Sequence, residues 1–417
     1  MLNIIDINHL AYELLMSGKS CSNLTDLPME KESLINIINN ESRYDDGAPI
    51  PFLPFTRLNS SKERTACLAE MEKVVTSGQF TSGDAITRLE KQLADYYRAT
   101  SCIATSSGTD ALKIALKAIG VEPGDEVIVP PNSFAATENA IFSIGAKPVY
   151  ANIDASFNLN PAEIPRLITT RTKAILAVCL YGSVRNMRAI SQEARHHELR
   201  VIIDAAQCFG VPDLIGCCDV VTLSFNPFKN IGGFGKSGAL LTYSSAIAKR
   251  ARQFSHHGFS EGKKNVKAQN WGFNSRIDNI QAATLLAKFT FFAINALKRS
   301  YLAYRYINKL TPLEKRELIT LPVEKTENTW HLFPIRVNAG KRDELIRFAK
   351  IMNIEFDIYY PILGYEGANE YALTYQDKIS FATSRSIHAT VLHIPLHNHM
   401  SIREQDRIVD ILYEFFQ

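Results

Sequence analysis

The sequence shows little excess of either charge: 46 Lys and Arg offset 43 Asp and Glu, leaving +3 over 417 residues. Acids and bases are interspersed, so nothing marks a surface for nucleic acid or for a membrane. A small anionic ligand stays open, because a local pocket decides that and not the total. No apolar run approaches the roughly 18 residues that span a bilayer. The opening Met1-Leu2-Asn3-Ile4-Ile5-Asp6 has no basic leader region and is interrupted by Asp6, which predicts no secretory signal. Cysteine is not arranged for staples. The seven cysteines (Cys21, Cys67, Cys102, Cys179, Cys208, Cys217 and Cys218) are odd in number, form no Cys-x-x-Cys pair, and include an adjacent pair unable to make a normal disulfide. Free thiols in a reducing cytoplasm are the expectation. Repeats and low-complexity tracts are also absent, which excludes solenoids.

What is present is ordinary globular material, 46% hydrophobic and 21% charged, in a chain long enough for two unequal domains. Residues 1–50 differ from the rest. Short amphipathic pieces, Leu10 to Met16 and Met29 to Ile38, precede a polar break at Asn39-Asn40-Glu41-Ser42 and a turn-rich linker, Asp45-Asp46-Gly47-Ala48-Pro49. This extension is expected to pack on the main body or on a neighbouring subunit; a partly disordered tail is the alternative. From Pro54 the texture becomes regular. The spacing of Leu89, Leu93 and Tyr96 predicts a helix over Ala85 to Tyr97, and a second helical stripe from Ala111 to Ile119 is closed by Gly120. Strand-like runs recur at Ile103–Thr105, Glu126–Val129, Pro148–Ile153, Ala174–Leu180, Val201–Asp204, Val220–Phe225 and Gly238–Thr242. Strands alternating with helices predict an α/β fold with a mostly parallel, buried sheet over residues 51–300. A long helix from Asn279 to about Leu310, a strand in His331–Val337 and a strand end at Tyr359-Tyr360-Pro361 predict a smaller α+β domain over 301–417.

Four features sit at successive strand ends, where α/β sites open. Ser106-Ser107-Gly108-Thr109 joins a strand to a helix N-terminus, whose free N–H groups and dipole suit an anion; helix capping alone explains the same residues. Phe134 offers a flat ring for stacking, or a core side chain. Asp204, followed by Gln207, is an acid closing a buried strand, or a cap for the next helix. Ser224 precedes Lys229 by five residues. A loop lysine is the plain reading of Lys229, yet desolvation converts such an amine into a nucleophile toward carbonyls. An acid for a pyridinium nitrogen, an amine for an aldehyde and a cup for a phosphate are together what pyridoxal 5'-phosphate requires. Each plain reading would need its own accident, so a shared phosphate–pyridine site is favoured.

Several motifs in order carry a family resemblance: Phe80-Thr81-Ser82-Gly83, Ser107-Gly108-Thr109-Asp110-Ala111-Leu112, Pro123-Gly124-Asp125-Glu126-Val127, Asp204-Ala205-Ala206-Gln207, Ser224-Phe225 through Lys229-Asn230, and Gly272-Phe273-Asn274-Ser275-Arg276 ahead of Asn279-Ile280-Gln281-Ala282-Ala283. From about Phe52 onward the chain resembles the DegT/DnrJ/EryC1/StrS sugar aminotransferases of the aspartate-aminotransferase-like fold. The resemblance implies that Lys229 holds the cofactor's aldehyde and Asp204 its ring nitrogen. Gln207 would lie near the ring hydroxyl and Phe134 on the ring face, with Gly108, Thr109 and Ser224 around the phosphate. It implies that Asn274 reaches the phosphate of the partner subunit, hence a homodimer with shared active sites. The implied reaction moves an amino group from an amino acid, glutamate by resemblance, to a ketosugar.

Two departures stand out. The family's Gly-Glu-Gly-Gly after the lysine is replaced by Gly235-Lys236-Ser237-Gly238, and the N-terminal extension is added. Both look like the branch acting on 3-oxo-glucose 6-phosphate, as do Phe52-Leu53-Pro54-Phe55, His257-Gly258-Phe259 and Tyr359-Tyr360-Pro361-Ile362-Leu363. Lys236 then reads either as a contact for an anionic sugar or as a surface lysine. The run His393-Ile394-Pro395-Leu396-His397-Asn398-His399 has zinc-like alternation but shows neither a flanking acid nor a fourth ligand, so no metal is expected. Two competing readings remain: a deoxysugar dehydratase with the same cofactor, which Lys229 weighs against, and a non-catalytic cofactor-binding regulator, which the intact Asp204, Lys229 and Asn274 weigh against.

Overall fold

Seven strands build the main sheet of the computed structural model, which describes residues 3–16, 30–41, 47–263, 265–338, 340–366 and 380–417. They are β1 (Ser101–Thr105), β2 (Glu126–Val129), β3 (Lys147–Tyr150), β4 (Thr172–Val178), β5 (Arg200–Asp204), β6 (Val220–Ser224) and β7 (Gly238–Thr242), in the order β1-β7-β6-β5-β4-β2-β3. The pairs β3–β2, β2–β4, β4–β5 and β5–β6 are parallel, and β7 runs antiparallel to both β6 and β1. The central strands are apolar along most of their length because both faces are covered. Ile175, Ala177, Val201 and Ile203 point into one core, while Ala174, Leu176, Val178 and Ile202 point into another.

A second sheet, β10 (Val391–Ile394), β9 (Phe333–Val337) and β8 (Ile319–Thr320), is antiparallel and packs in its own core. The helix linking the two sheets corrects one sequence expectation. Instead of one rod from Asn279, there are two helices, Asn279–Phe289 and Phe292–Lys315, bent by 60°. The Thr290 hydroxyl donates to the Ala287 carbonyl (2.7 Å), competing locally with the helix ladder. The bend also lets Phe289 and Phe292 both reach Phe209, at 5.8 and 4.9 Å between centroids. The second helix then serves two cores, giving Leu297 and Tyr301 to one and Leu302, Tyr306 and Leu310 to the other.

The expected strand end at Tyr359-Tyr360-Pro361 is likewise a bend, preceded by a lone pairing of Asp357 with His393. Part of the N-terminal extension forms the helix Ile4–Met16, which lies against Phe292–Lys315 and buries Ile7, Leu10, Ala11 and Leu14. Met29, Ser42 and the start of the expected linker, Asp45-Asp46, fall outside the described residues, as does Cys21; the six described cysteines are free. No single described helix is long and apolar enough to cross a membrane, and no described group of His, Cys, Asp and Glu is arranged to hold a metal ion.

Candidate active site

A cavity of about 380 Å³ opens at the C-terminal ends of the central strands. One wall is the turn after β1. Ser107 caps the helix Gly108–Ile119 by accepting from the Asp110 N–H (3.1 Å), and Gly120 ends it at φ 94°. The first-turn N–H groups of Gly108 and Thr109 have no helical carbonyl in reach, and both residues line the cavity. The turn lies tight against β6 and β7. A Cβ on Gly108 would come 2.8 Å from that of Ser224, and one on Gly238 would come 2.6 Å from the Gly108 nitrogen. Only glycine permits that approach, which sets the helix N-terminus beside the Ser224 hydroxyl.

Asp204 closes β5 and is 6% exposed. Its two oxygens are fixed separately, one accepting from the Thr137 hydroxyl (3.1 Å) and the other from the Ala206 N–H (3.0 Å). The second bond closes a turn after β5; no helix begins there, so Asp204 does not serve as the helix cap of the plain reading. Burial raises the carboxyl pKa, and the Ala206 N–H, the Lys229 charge and the Thr137 hydroxyl oppose it. A cationic ring nitrogen placed against this acid would satisfy what burial leaves uncompensated.

Lys229 stands on the compact loop between β6 and β7. Its N–H donates to the Asn226 carbonyl (2.8 Å), and the Gly233 N–H returns to the Phe225 carbonyl (2.9 Å). The side chain is enclosed except toward the cavity, with Nζ 5.0 Å from the Phe228 ring centre. Burial pushes the ammonium's pKa down to about 8, while the Asp204 carboxylate pulls it up. An amine held near neutrality can accept and return a proton at ordinary pH.

Gln207 is oriented at both ends: its Oε1 accepts from the Tyr181 N–H (2.7 Å), and its Nε2 donates to the Tyr360 hydroxyl (3.1 Å). Phe134 does not end a strand. It precedes the helix Ala135–Phe142, is 55% exposed, and leans toward Tyr360 at 5.3 Å. Lys236 is exposed in the cavity wall. Next to it, Ser237 is buried and its hydroxyl has no hydrogen-bond partner within the described residues.

Seven of the eight expected site residues therefore line one cavity; the eighth, Asn274, does not. It is exposed and pairs with His256. Sequence reasoning missed Thr137, and noted Ser237 and Tyr360 only as parts of longer phrases, without a role. Nothing local links Thr137 to Asp204 or Tyr360 to Gln207, because those contacts exist only after folding. The residues present fit pyridoxal phosphate. A crowded glycine turn with unused N–H groups and an unsatisfied buried hydroxyl suit the phosphate, while an acid and an amine face the same enclosed space.

Comparison with known proteins agrees. The DegT/DnrJ/EryC1/StrS aminotransferase family profile matches residues 61–413. A Bacillus subtilis (strain 168) protein named 3-oxo-glucose-6-phosphate:glutamate aminotransferase is 40% identical over 386 residues, covering 92% of this chain and 88% of the relative. The dTDP-3-amino-3,4,6-trideoxy-alpha-D-glucose transaminase of Streptomyces venezuelae is 32% identical, covering 88% of this chain and 97% of its own. The crystal structure of NtdA from Bacillus subtilis with bound cofactor PMP superposes with a TM-score of 0.89 at 38% identity, covering 98% of this chain and 92% of that one. The chain belongs to the DegT/DnrJ/EryC1/StrS aminotransferase family and is a pyridoxal-phosphate-dependent aminotransferase.

Proposed function

We propose that this enzyme moves the amino group of glutamate to a ketosugar, with 3-oxo-glucose 6-phosphate as the acceptor. The reading rests on one observation: the Lys229 amine and the Asp204 carboxylate share a cavity with an open helix N-terminus. The 40% identity to a relative named for that donor and acceptor supports the choice of substrates. Bound there, pyridoxal phosphate supplies an aldehyde to carry nitrogen and a ring that draws in the electrons of the broken Cα–H bond.

The chain's own residues do the rest. Gly108, Thr109 and Ser224 hold the phosphate, joined by the free Ser237 hydroxyl. Asp204 would keep the ring nitrogen protonated, with Gln207 available to the ring hydroxyl and Phe134 to the ring face. Lys229 would hold the aldehyde, and its Nζ would take the proton from the donor's Cα and give one to the acceptor carbon. Lys236 gives an anionic acceptor a cationic contact. Asn274 serves the phosphate of a partner subunit, so the working unit is a homodimer with shared sites, cytoplasmic and acting in aminosugar and antibiotic biosynthesis.

Adding glutamate to the holoenzyme is expected to replace the pyridoxal absorption band by that of the pyridoxamine form. Adding 3-oxo-glucose 6-phosphate should then restore the first band. A regulator that merely binds cofactor gives no exchange with any donor. Lys229→Ala is expected to lower turnover by at least about a hundredfold while leaving cofactor bound through the phosphate contacts; wild-type turnover would remove Lys229 from its role. Dimers mixing Asn274→Ala with Lys229→Ala subunits should regain one intact site, and failure to complement would count against sharing.

A further inference from the structure

The N-terminal helix Ile4–Met16 carries one buried polar residue whose contacts lead toward the active site. Asn8 is 1% exposed. Its Nδ2 donates to the carbonyls of Thr326 (2.7 Å) and Asn328 (2.9 Å), and its Oδ1 accepts from the Trp330 indole N–H (3.3 Å). One side chain thus spends three hydrogen bonds on the segment 326–331, more than 300 residues away in the chain. A buried amide with these partners cannot be replaced by an apolar residue without orphaning at least one of them.

The far side of that segment touches the catalytic machinery. The Thr329 hydroxyl donates to the Gln207 carbonyl (2.9 Å), and the Thr329 carbonyl accepts from Asn230 Nδ2 (2.8 Å). Asn230 Oδ1 also meets His331 Nδ1 (2.9 Å), and the His331 ring stacks on Phe228 at 6.2 Å. Phe228 and Asn230 flank Lys229. Arg299 fixes the same segment from behind, donating to the carbonyls of Trp330 and His331 (both 2.9 Å). The loop held this way has little freedom of its own. A Cβ on Gly232 would come 2.1 Å from the Pro227 carbonyl oxygen, so the loop closes tightly on itself.

We propose that the N-terminal helix is a positioning element for the active-site lysine, with Asn8 fixing the 326–331 segment that in turn holds Gln207 and the Lys229 loop. Asn8 touches neither cofactor nor substrate and acts through Thr329 and Asn230. This relay rests on the reading of Lys229 as the cofactor lysine.

The test compares wild-type holoenzyme with Asn8→Leu, Thr329→Val, the double variant and Leu14→Ala. Leu14 is buried on the same helix and lies outside the relay, so its truncation loosens packing alone. Three readouts are taken: thermal stability, turnover in the glutamate half-reaction, and the pH titration of the cofactor absorption band. Asn8→Leu and Thr329→Val are expected to lower turnover on the order of tenfold and to shift the band's titration in the same direction. Acting in one chain of contacts, the double variant should cost little more than either single one. Leu14→Ala is expected to lower stability with the titration unmoved. If Asn8→Leu behaves like Leu14→Ala, or if the double variant is fully additive, the relay is overturned. Borohydride reduction and peptide mapping of the wild type separate the two layers. Attachment away from Lys229 overturns the functional reading together with the relay, whereas attachment at Lys229 with unmoved titrations overturns the relay alone.

Discussion

Lys229 shows how one residue ties stability to chemistry. Its ammonium is disfavoured in the fold, with a pKa of about 8 against 10.5 for a free lysine. Below about pH 8 the apoprotein therefore carries the full penalty of a charged amine in that site. Between about 8 and 10.5 the folded amine is neutral while the unfolded one is still protonated, so stability rises with pH. Lys229→Met apoprotein is expected to be more stable than wild type at pH 7, by about 1–2 kcal/mol once solvent in the cavity is allowed for. The gap should close as pH approaches 10.5. Denaturant unfolding of both apoproteins from pH 7 to 10 measures it; a gap that widens with pH would contradict the sign. The residues that carry this chemistry were legible in the sequence because they end a strand, as Asp204 and Ser224 do, or follow one within a few residues, and strand ends in a parallel sheet share one side of the molecule. Their orienting partners were not. Thr137, Tyr181 and Tyr360 come from other elements, and no local spacing connects them to Asp204 or Gln207.

At the scale of elements, the two ends of the helix Gly108–Ile119 depend on glycine for different reasons. Gly120 stands at φ 94° with nothing within 4 Å of where an added methyl would sit, whereas Gly108 faces Ser224. Gly120→Ala is expected to cost about 1 kcal/mol of stability through backbone strain, with cofactor affinity intact. Gly108→Ala must instead push Ser224 or the helix N-terminus away, costing about 1–3 kcal/mol and weakening cofactor retention. Thermal melts with and without pyridoxal phosphate separate the two, since only Gly108→Ala should reduce the shift produced by the cofactor. Equal losses of that shift would mean the close approach at Gly108 has no special part in binding. Periodicity identified this helix and the strands because burial of both sheet faces writes itself into local sequence. It failed at Thr290-Phe291, where the apolar stripe continues while the Thr290 hydroxyl competes with the helix ladder and Phe289 and Phe292 both pack on Phe209. It failed again at Tyr359-Tyr360-Pro361, whose apolar character serves the cavity wall and not a strand.

Over the whole molecule, folding encloses three histidines in neutral form. Burial lowers His393 to a pKa of about 3 and takes His331 and His397 well below the ordinary value. Cationic neighbours add to this: Lys229 and Arg299 around His331, and Arg57 and Arg299 around His397. In the unfolded chain each binds a proton near pH 6.5, so the stability they confer is present above that pH and is lost as pH falls toward 3. Each contributes a slope of up to about 1.4 kcal/mol per pH unit in that window. His397 is the informative one, because neither of its ring nitrogens has a hydrogen-bond partner within the described residues. His397→Leu removes a proton-binding group without orphaning another, so stability at pH 7.5 should change little. At pH 5.5 the variant is expected to exceed wild type by about 1 kcal/mol, and the unfolding free energy should lose about one proton's worth of pH dependence. Urea unfolding at pH 7.5, 6.5 and 5.5 reads both quantities. An unchanged slope in the variant would mean that His397 is protonated in the native state, and that the pocket formed by Arg57, Arg299 and His399 tolerates a further positive charge.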